Sequence, residues 1–327
     1  MQTGLHLHKM GISPRSVFRG NAIENSQQRG IIIHDTHLAT VDHNVINDVR
    51  GTGIYLQDGN EMYNQITYNI VICPTAKNGP LGGCTIPGTD NGQADADLNQ
   101  AGLWANSRTN DMIGNRFANS FNGMFYDFGN TAKGAIDAIN SIMGRVEGNT
   151  FHGHGRFGTY TLQYYPQRSC IGNITNKGYI PSTCTAFTST GLDNGYPVVL
   201  ANNVDYDNVF VGGYSYGDVQ YQGHIAVHNN NNVYWKETKN FADGCSAHIS
   251  NSYYVDGNMA LPDSAAFIIE NSIFTGGSSF ETNHHCNVGV TGFLCMPTYV
   301  FLNVSMRAMT SSGSWVKFSQ NANNYGK

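Results

Sequence analysis

The sequence predicts an all-β protein, a parallel β-helix with coils of about 21–26 residues. The first observation is a five-residue motif, a glycine followed by two apolar residues that one variable residue separates. The second is its spacing, because successive copies begin 26, 23, 49 and 21 residues apart. The third is that no stretch keeps a 3.6-residue apolar period over three turns, which disfavours long helices. The bias of parallel crossover connections predicts a right-handed helix. The copies begin at Gly4, Gly30, Gly53, Gly102 and Gly123.

Each motif reads as a strand whose side chains alternate between two faces. One face is almost purely apolar and is expected to point into the core. The other face carries two columns, which stacking at about 4.8 Å per coil would align into one strip. We call these two columns the outer strip and treat it as the candidate functional surface. The first column holds His6, Ile32, Tyr55, Trp104 and Phe125, and the second holds His8, His34, Gln57, Asn106 and Asp127.

A second recurring marker is an asparagine followed by apolar residues. Asparagine tolerates left-handed backbone and hydrogen-bonds within its own turn, so it suits a corner before a strand. Buried asparagines can also stack as ladders between coils. We therefore expect a structural role for this marker, which occurs at Asn21, Asn44, Asn69, Asn115, Asn149, Asn208, Asn251, Asn271 and Asn303.

The repeat predicts one continuous domain over residues 1–327, interrupted by loop insertions at 73–101 and 164–196. The first insertion lies between two coils of the outer strip, where a loop could wall a groove. We expect the chain to be a fragment of a longer secreted protein. The sequence runs from Met1 directly into the first motif without an apolar leader, and nothing caps that first coil.

Seven cysteines occur without a CxxC pair, which disfavours a thiolate zinc site or a redox dithiol. Their spacing predicts three disulfides that staple local loops, with Cys245 left over. Two N-glycosylation sequons begin at Asn173 and Asn303. Together these features predict an extracellular protein, secreted or at the cell surface. The predicted disulfides are Cys73–Cys84, Cys170–Cys184 and Cys286–Cys295.

Composition excludes several partners. Charged residues make up 13% of the chain, the formal net charge is −5 and no basic cluster occurs, which excludes a nucleic-acid partner. No run of about 18 apolar residues is present, so we expect no membrane-spanning segment. An anionic polymer would need local positive charge. Lys9 and Arg108 are expected to be solvated surface residues.

Several motifs resemble the β-helix region of the G8-domain family, which includes the cell-migration-inducing hyaluronan-binding protein, transmembrane protein 2 and fibrocystin-like proteins. The resemblance lies in residues 5–8 (LHLH), 33–37 (IHDTH) and 55–61 (YLQDGNE), in this order, and continues at 103–106, 110–115, 123–125 and 269–274. It implies a right-handed parallel β-helix, secretion or membrane anchoring, and hyaluronan binding and depolymerisation. Two departures are Gln57, where the family has Glu, and the absence of a G8 domain from this sequence.

Three interpretations of the polar residues on the outer strip compete. In the first, His8, His34, Asp35, Asp58 and Glu61 act as general acid and base on a glycosidic bond or a uronic-acid proton. In the second, His6, His8 or His34 with Asp58 or Glu61 binds a divalent metal, because H-x-H places both imidazoles on one face. In the third, these residues form a polar ladder that satisfies hydrogen bonds between coils.

The aromatic column is a candidate sugar-binding surface, because sugar rings stack on flat apolar faces. The predicted substrate-binding residues are Tyr55, Gln57, Trp104, Asn106, Phe125 and Asp127. The alternative is that a loop, such as 73–101, covers the aromatics and makes them a second small core.

Two functions follow from these interpretations. The first is an extracellular module that binds a glycan or processes a polysaccharide, as a hydrolase or lyase and hyaluronidase-like by resemblance. Its partner would be the polysaccharide, and a divalent metal ion is the candidate cofactor. The second is a non-catalytic structural β-helix of a fibril, stalk or cell-surface assembly, whose partners would be further copies or the rest of a longer chain.

Overall fold

The computed structural model describes residues 4–73, 101–127, 143–164, 174–175, 178–179, 198–217, 219–235, 247–262, 266–276, 280–283, 298–307 and 316–317. Every regular element in these ranges is a β-strand. The strands are β1 (Leu5–Ile12), β2 (Val17–Arg19), β3 (Ala22–Glu24), β4 (Ile31–His37), β5 (Thr40–Asp42), β6 (Val45–Asn47), β7 (Ile54–Leu56), β8 (Gln65–Thr67), β9 (Ile70–Ile72), β10 (Ala101–Ala105), β11 (Asp111–Ile113), β12 (Arg116–Ala118), β13 (Asn122–Tyr126), β14 (Val146–Glu147), β15 (Thr150–His152), β16 (Phe157–Tyr164), β17 (Ile174–Thr175), β18 (Gly178–Tyr179), β19 (Val198–Ala201), β20 (Val204–Tyr206), β21 (Val211–Gly217), β22 (Val219–Gln222), β23 (Ile225–Val227), β24 (Asn231–Trp235), β25 (Ala247–Ser250), β26 (Tyr253–Val255), β27 (Asn258–Pro262), β28 (Ala266–Glu270), β29 (Ile273–Thr275), β30 (Phe280–Asn283), β31 (Thr298–Leu302), β32 (Ser305–Arg307) and β33 (Val316–Lys317).

The strands form three long sheets. Sheet A has 11 strands in the order β1-β4-β7-β10-β13-β16-β21-β24-β27-β30-β33, and sheets B and C, which begin with β2 and β3, have 10 each. Each coil gives one strand to each sheet in turn, and successive coils pair in parallel. The predicted parallel β-helix is confirmed. A separate antiparallel pair, β17 and β18, lies within the second predicted insertion.

The five-residue motif supplies the strands of sheet A in the register that strand parity predicts. Ile33 pairs with Leu7 on one side and with Leu56 on the other. Ala105 pairs with Leu56 of the preceding coil and with Tyr126 of the following coil. These side chains point inward and are buried in one core cluster that runs along the helix. Burial of a continuous apolar stripe in every coil is what holds the coils together.

The glycine that opens each motif permits close stacking of the coils. A Cβ atom built on Gly30 would lie 2.5 Å from the Gly53 carbonyl oxygen and 2.8 Å from Ile46 Cγ2. The same construction on Gly4 meets the Gly30 carbonyl oxygen at 2.5 Å. Since real Cβ atoms do not approach oxygen this closely, any side chain here would force adjacent coils apart.

An asparagine ladder runs along one corner of the helix, as the marker predicts for its first five members. Asn44 donates from Nδ2 to Asn69 Oδ1 at 2.9 Å, and Asn69 donates to Asn115 Oδ1 at 3.0 Å. The ladder extends to Asn21 at one end and through Asn149 to Asn203 at the other. Each rung satisfies buried amide groups that would otherwise cost free energy.

Three later members of the marker occupy a different position. Asn251, Asn271 and Asn303 lie one residue earlier in the corner, with φ angles of 51°, 47° and 51°. The ladder positions after Asn251 and Asn271 are Ser252 and Ser272, whose hydroxyl groups accept from backbone N–H groups of the previous coil. Asparagine suits both the ladder and the left-handed turn, so the marker alone could not separate the two.

Most of the predicted insertions and disulfides lie outside the described residues. Cys73 is disulfide-bonded, and its partner lies in the part that is not described. The other six cysteines and Asn173 also lie outside the described ranges. Asn303 is exposed and donates to Asn271 Oδ1 at 2.8 Å. The disulfide pairings, the glycosylation of both asparagines and the single domain over 1–327 stay predictions.

The expectation for Arg108 is wrong. Its side chain is fully buried, and Nη2 lies 3.4 Å from the Asp127 carbonyl oxygen, to which it donates. The segment after β10 turns inward, where Asn110 donates from Nδ2 to Ser107 Oγ and to the Glu61 carbonyl oxygen. Sequence alone gave no signal that this polar segment packs inside the helix.

Candidate functional site

Strands β1 and β4 bring three histidines together on the outer face of sheet A. His8 pairs directly with His34 across the two coils, and His6 lies two residues before His8 on the same face. The ring centroids of His8 and His34 are 4.7 Å apart, and those of His6 and His8 are 4.9 Å apart. His6 and His8 are exposed, whereas His34 is buried. The column predicted from strand parity therefore places these imidazoles in one cluster.

A carboxylate and two imidazoles form a chain of contacts that ends at the surface. Asp58 Oδ2 lies 2.9 Å from His34 Nε2, and both side chains are at least nine-tenths buried, with 9% and 8% exposed. His34 Nδ1 lies 3.1 Å from His8 Nδ1. Because the carboxylate accepts from Nε2–H, the lone pair of His34 is on Nδ1 and faces His8. Asp58 thereby fixes the tautomer of His34.

Burial and mutual repulsion favour the neutral form of two of these histidines. Burial lowers the pKa of His6, and the charges of His8, His34 and Arg29 lower it further. Burial is also the largest effect on His34 and lowers its pKa. The charges of His8 and Lys9 lower this pKa further, whereas the Asp58 carboxylate raises it. Neutral imidazoles can accept a proton or bind a metal at neutral pH.

The Glu61 carboxyl group accepts hydrogen bonds from the backbone on both sides of the His34–Asp58 contact. Its Oε1 accepts from the N–H of Asp58 at 2.8 Å and of Asp35 at 3.2 Å, and its Oε2 accepts from the N–H of Gly59 at 2.8 Å. The carboxyl group is fully buried. Burial raises the pKa of Glu61 to about 7, although the backbone N–H donors lower it. Glu61 thus fixes the turn that presents Asp58 to His34.

Asp35 faces a different set of partners. Its backbone is left-handed, with φ of 44°, and Oδ1 accepts from Asn60 Nδ2 at 3.3 Å. His37 Nε2 lies 3.9 Å from the same oxygen, and Met62 N–H donates to His37 Nδ1. Of the five candidate catalytic residues, the structure therefore links His8, His34 and Asp58, and it places Asp35 and Glu61 in neighbouring positions.

The aromatic column continues through more coils than the sequence motif shows. Trp104 pairs with Tyr55 on one side and Phe125 on the other. Phe125 stacks on Tyr160 at 4.2 Å, and Tyr160 on Tyr214 at 4.7 Å. The rings lie nearly parallel, so each covers the face of its neighbour and turns its edge outward.

Two members of the column are buried. Trp104 is 8% exposed and Phe125 is 3% exposed, and both belong to a second apolar cluster with Phe157 and Val211. Tyr55 packs against this cluster and is partly exposed. The geometry is the one expected of a small second core, and sugar binding by Tyr55, Trp104 and Phe125 stays a prediction.

The polar column keeps its register beyond the histidines. Gln57 N–H donates to the Ile33 carbonyl oxygen and Asp127 N–H to the Ala105 carbonyl oxygen, both at 3.0 Å. Gln57, Asn106 and Asp127 are half-buried. Asn106 Oδ1 has no hydrogen-bond partner among the described residues.

Sequence reasoning missed Arg29. Its guanidinium carbon lies 4.0 Å from the Tyr55 ring centroid, within cation–π range. Its charge also acts on His6, and that of Lys9 acts on His34. These two cations bring positive charge to the histidine cluster. The available signal was the position of Arg29 immediately before the second motif.

These features define a parallel β-helix protein with a histidine–carboxylate cluster on the outer face of one sheet. Residues 3–159 match the family described as CEMIP beta-helix. Human fibrocystin-L is 26% identical over 222 residues, which cover 65% of this chain and 5% of that protein. A G8 domain-containing protein of Dictyostelium discoideum is 31% identical over 165 residues, which cover 47% of this chain and 12% of that protein.

The comparisons confirm the predicted resemblance to the CEMIP and G8-domain β-helix proteins. The matched part of the chain spans only about a twentieth of the length of fibrocystin-L. In the part of the chain that the structure describes, no helix has the length and apolarity needed to cross a bilayer.

Proposed function

We propose that this β-helix is an extracellular module that binds and depolymerises a polysaccharide containing uronic acid. The observation that carries the proposal is the chain of contacts from Asp58 through His34 to His8, which ends at an exposed imidazole. The matches to the CEMIP beta-helix family and to a G8 domain-containing protein agree with the sequence resemblance from which this class of substrate is expected. These three side chains lie on the outer face beside a column of polar side chains. An extended polymer would therefore have room to bind along the helix axis.

His8 is the proton-transfer group in this proposal. Its exposed imidazole contacts the substrate, His34 orients that imidazole, and Asp58 fixes the tautomer of His34. Acting as a base, His8 removes either the proton next to a uronic carboxyl group or a proton from an attacking water. In the first route the freed electron pair forms a double bond as the neighbouring glycosidic C–O bond breaks, which is elimination. In the second route the water oxygen adds to the anomeric carbon as the bond from that carbon to the leaving sugar breaks, which is hydrolysis. In both routes the departing sugar oxygen takes up a proton from solvent or from the His8 imidazolium.

Lys9 and Arg29 neutralise substrate carboxylates. The charge of Arg29 lowers the pKa of His6, and that of Lys9 lowers the pKa of His34, so both cations act on the histidine cluster. A cation beside a uronic carboxylate also stabilises the negative charge that develops when the neighbouring proton leaves. Glu61 serves as a positioning residue, because its buried oxygens contact only the protein among the described residues.

A non-catalytic structural role is the second candidate. It is favoured by the burial and mutual stacking of the aromatic column, which serve packing between coils. In that case the histidine cluster would be a polar ladder, and the protein would associate with further copies or with the rest of a longer chain.

The test is a polymer-size measurement. The wild type, His8→Ala and Asp58→Asn are incubated with hyaluronan and with other uronic-acid polysaccharides, with and without divalent metal ions. We expect the wild type to shorten at least one polymer. Loss of a general base lowers rates by about 10²- to 10⁴-fold, which is the effect expected for His8→Ala. Ultraviolet absorbance of an unsaturated uronate distinguishes elimination from hydrolysis.

His43→Ala is the matched control, because His43 follows β5, a strand of sheet B, and 62% of its side chain is exposed. It should keep the wild-type rate. Intact polymers after incubation with the wild type, under every metal condition, would refute the enzymatic proposal. Fibrils seen by electron microscopy of the same inactive sample would favour the structural role.

A further inference from the structure

We propose that His6, His8 and His34 together bind one divalent metal ion of the kind that imidazole ligands prefer, such as Zn²⁺. This inference uses side chains of the proposed active site but does not rest on the proposed function, because metal binding is measurable without a polysaccharide. Nitrogen ligands of this kind suit zinc, copper, nickel or cobalt, whereas calcium and magnesium prefer oxygen.

The spacing of the imidazole nitrogens fits such an ion. Zinc–nitrogen bonds of about 2.0–2.1 Å in a tetrahedral site place two ligand nitrogens about 3.3 Å apart. The Nδ1 atoms of His8 and His34 are 3.1 Å apart, and one nitrogen from each of the three histidines lies within 4.8 Å of the others. His6 is exposed, so rotation of its side chain can bring its nitrogen to the remaining ligand position.

Asp58 prepares His34 for this role. The contact of its carboxylate with His34 Nε2 leaves the Nδ1 lone pair directed at His8, where the ion would lie. A carboxylate hydrogen-bonded to the distal nitrogen of a ligand histidine is the usual outer partner of a zinc site, and it raises the basicity of the imidazole. Asp58 is therefore a positioning residue rather than a ligand.

The surrounding backbone makes the site rigid on one side and open on the other. All three ligands lie on the paired strands β1 and β4, and Glu61 fixes the Asp58 turn through buried hydrogen bonds. The exposed side of His6 and His8 leaves the fourth coordination position open to solvent or a ligand. Lys9 and Arg29 repel a cation and lower its affinity, and the Asp58 carboxylate offsets part of that repulsion.

The test titrates the full chain, freed of metal by a chelator, with Zn²⁺ by calorimetry and with Co²⁺ by visible spectroscopy. We expect one ion per chain and Co²⁺ bands typical of a tetrahedral site. His6→Ala and His8→Ala should each weaken Zn²⁺ binding by at least tenfold and alter these bands. Loss of an outer-sphere partner costs about 10- to 100-fold in metal affinity, which is the effect expected for Asp58→Asn.

His43→Ala should bind Zn²⁺ as the wild type does. Without metal, the melting temperatures of His6→Ala and His8→Ala should match the wild type, since both side chains are exposed. Equal Zn²⁺ affinity in the wild type and His8→Ala, or an equal loss in His43→Ala, would overturn the proposal. A chain that binds Zn²⁺ but leaves every polysaccharide intact would retain the metal site and refute the proposed function alone. A chain that depolymerises a polysaccharide but binds no Zn²⁺ would support the proposed function and refute the metal site.

Discussion

Gly30→Ala is expected to destabilise the protein by about 3 kcal/mol or more, because it overpacks a site bounded by backbone. The new Cβ would lie 2.5 Å from the Gly53 carbonyl oxygen of the next coil and 2.8 Å from Ile46 Cγ2. Neither atom can move far, since the oxygen accepts from the Ile31 N–H at 2.8 Å and Ile46 is in the core. The adjacent coils would have to separate, which also strains their hydrogen bonds.

Denaturant unfolding of Gly30→Ala and of a matched control measures this effect. Gly20→Asn is the control, because no atom lies within 4 Å of a Cβ at Gly20 and its φ of +67° is a conformation that asparagine tolerates. The control should lose less than about 1 kcal/mol. A loss of the same small size in Gly30→Ala would show that the glycine is not required for stacking.

Glu61→Ala is expected to have the second-largest effect on stability. It removes the acceptor of three backbone N–H groups, those of Asp35, Asp58 and Gly59. Each buried donor left without a partner costs about 1–3 kcal/mol, so the total should reach about 3 kcal/mol even if water enters. Release of the Asp58 turn should also weaken the contact with His34. Asn60→Ala, in the same turn, is the control and should destabilise the protein less than Glu61→Ala does.

Because Glu61 titrates, the free energy of unfolding of the wild type should depend on pH. Its pKa is raised from 4.5 to about 7 by burial and by the charge of Asp58, so the folded state holds the proton more tightly than the unfolded state. The stability that this proton confers is full below about pH 4.5 and is lost as the pH rises to about 7, by up to about 3 kcal/mol. Glu61→Gln cannot titrate, so this part of the decline should vanish in denaturant unfolding across that range. A decline of the same size in Glu61→Gln would mean that other groups cause the loss of stability.

The fold could be predicted because its determinants are local and periodic. Strand parity placed Leu56 inward and Tyr55 outward, and the register of β4, β7 and β10 follows from this alternation. The spacing of the glycines identified the coil because each glycine is required where coils stack. The insertions have no such period, and the sequence could not indicate their path.

The candidate site could be predicted only in part. The pairing of His8 with His34 follows from the register, but Asp35 and Asp58 are equivalent in a strand diagram. The left-handed backbone of Asp35 and the inward turn that buries Glu61 decide which carboxylate meets His34. Side-chain alternation carries no information on such turns. It also could not show that Trp104 is buried, since alternation places a side chain on a face without showing what packs against that face.

The central claim is that an anionic glycan binds on the outer strip beside His8, and the most direct test is the affinity of hyaluronan oligosaccharides for two arginine variants. Arg29 lies on the outer face of sheet A above Tyr55, whereas Arg116 is exposed on sheet C. A lost charge-assisted contact to a carboxylate costs about 1.5–3 kcal/mol, so Arg29→Ala should weaken binding about tenfold or more at low salt. Arg116→Ala should bind as the wild type does. Equal affinities for the wild type and both variants would contradict the account.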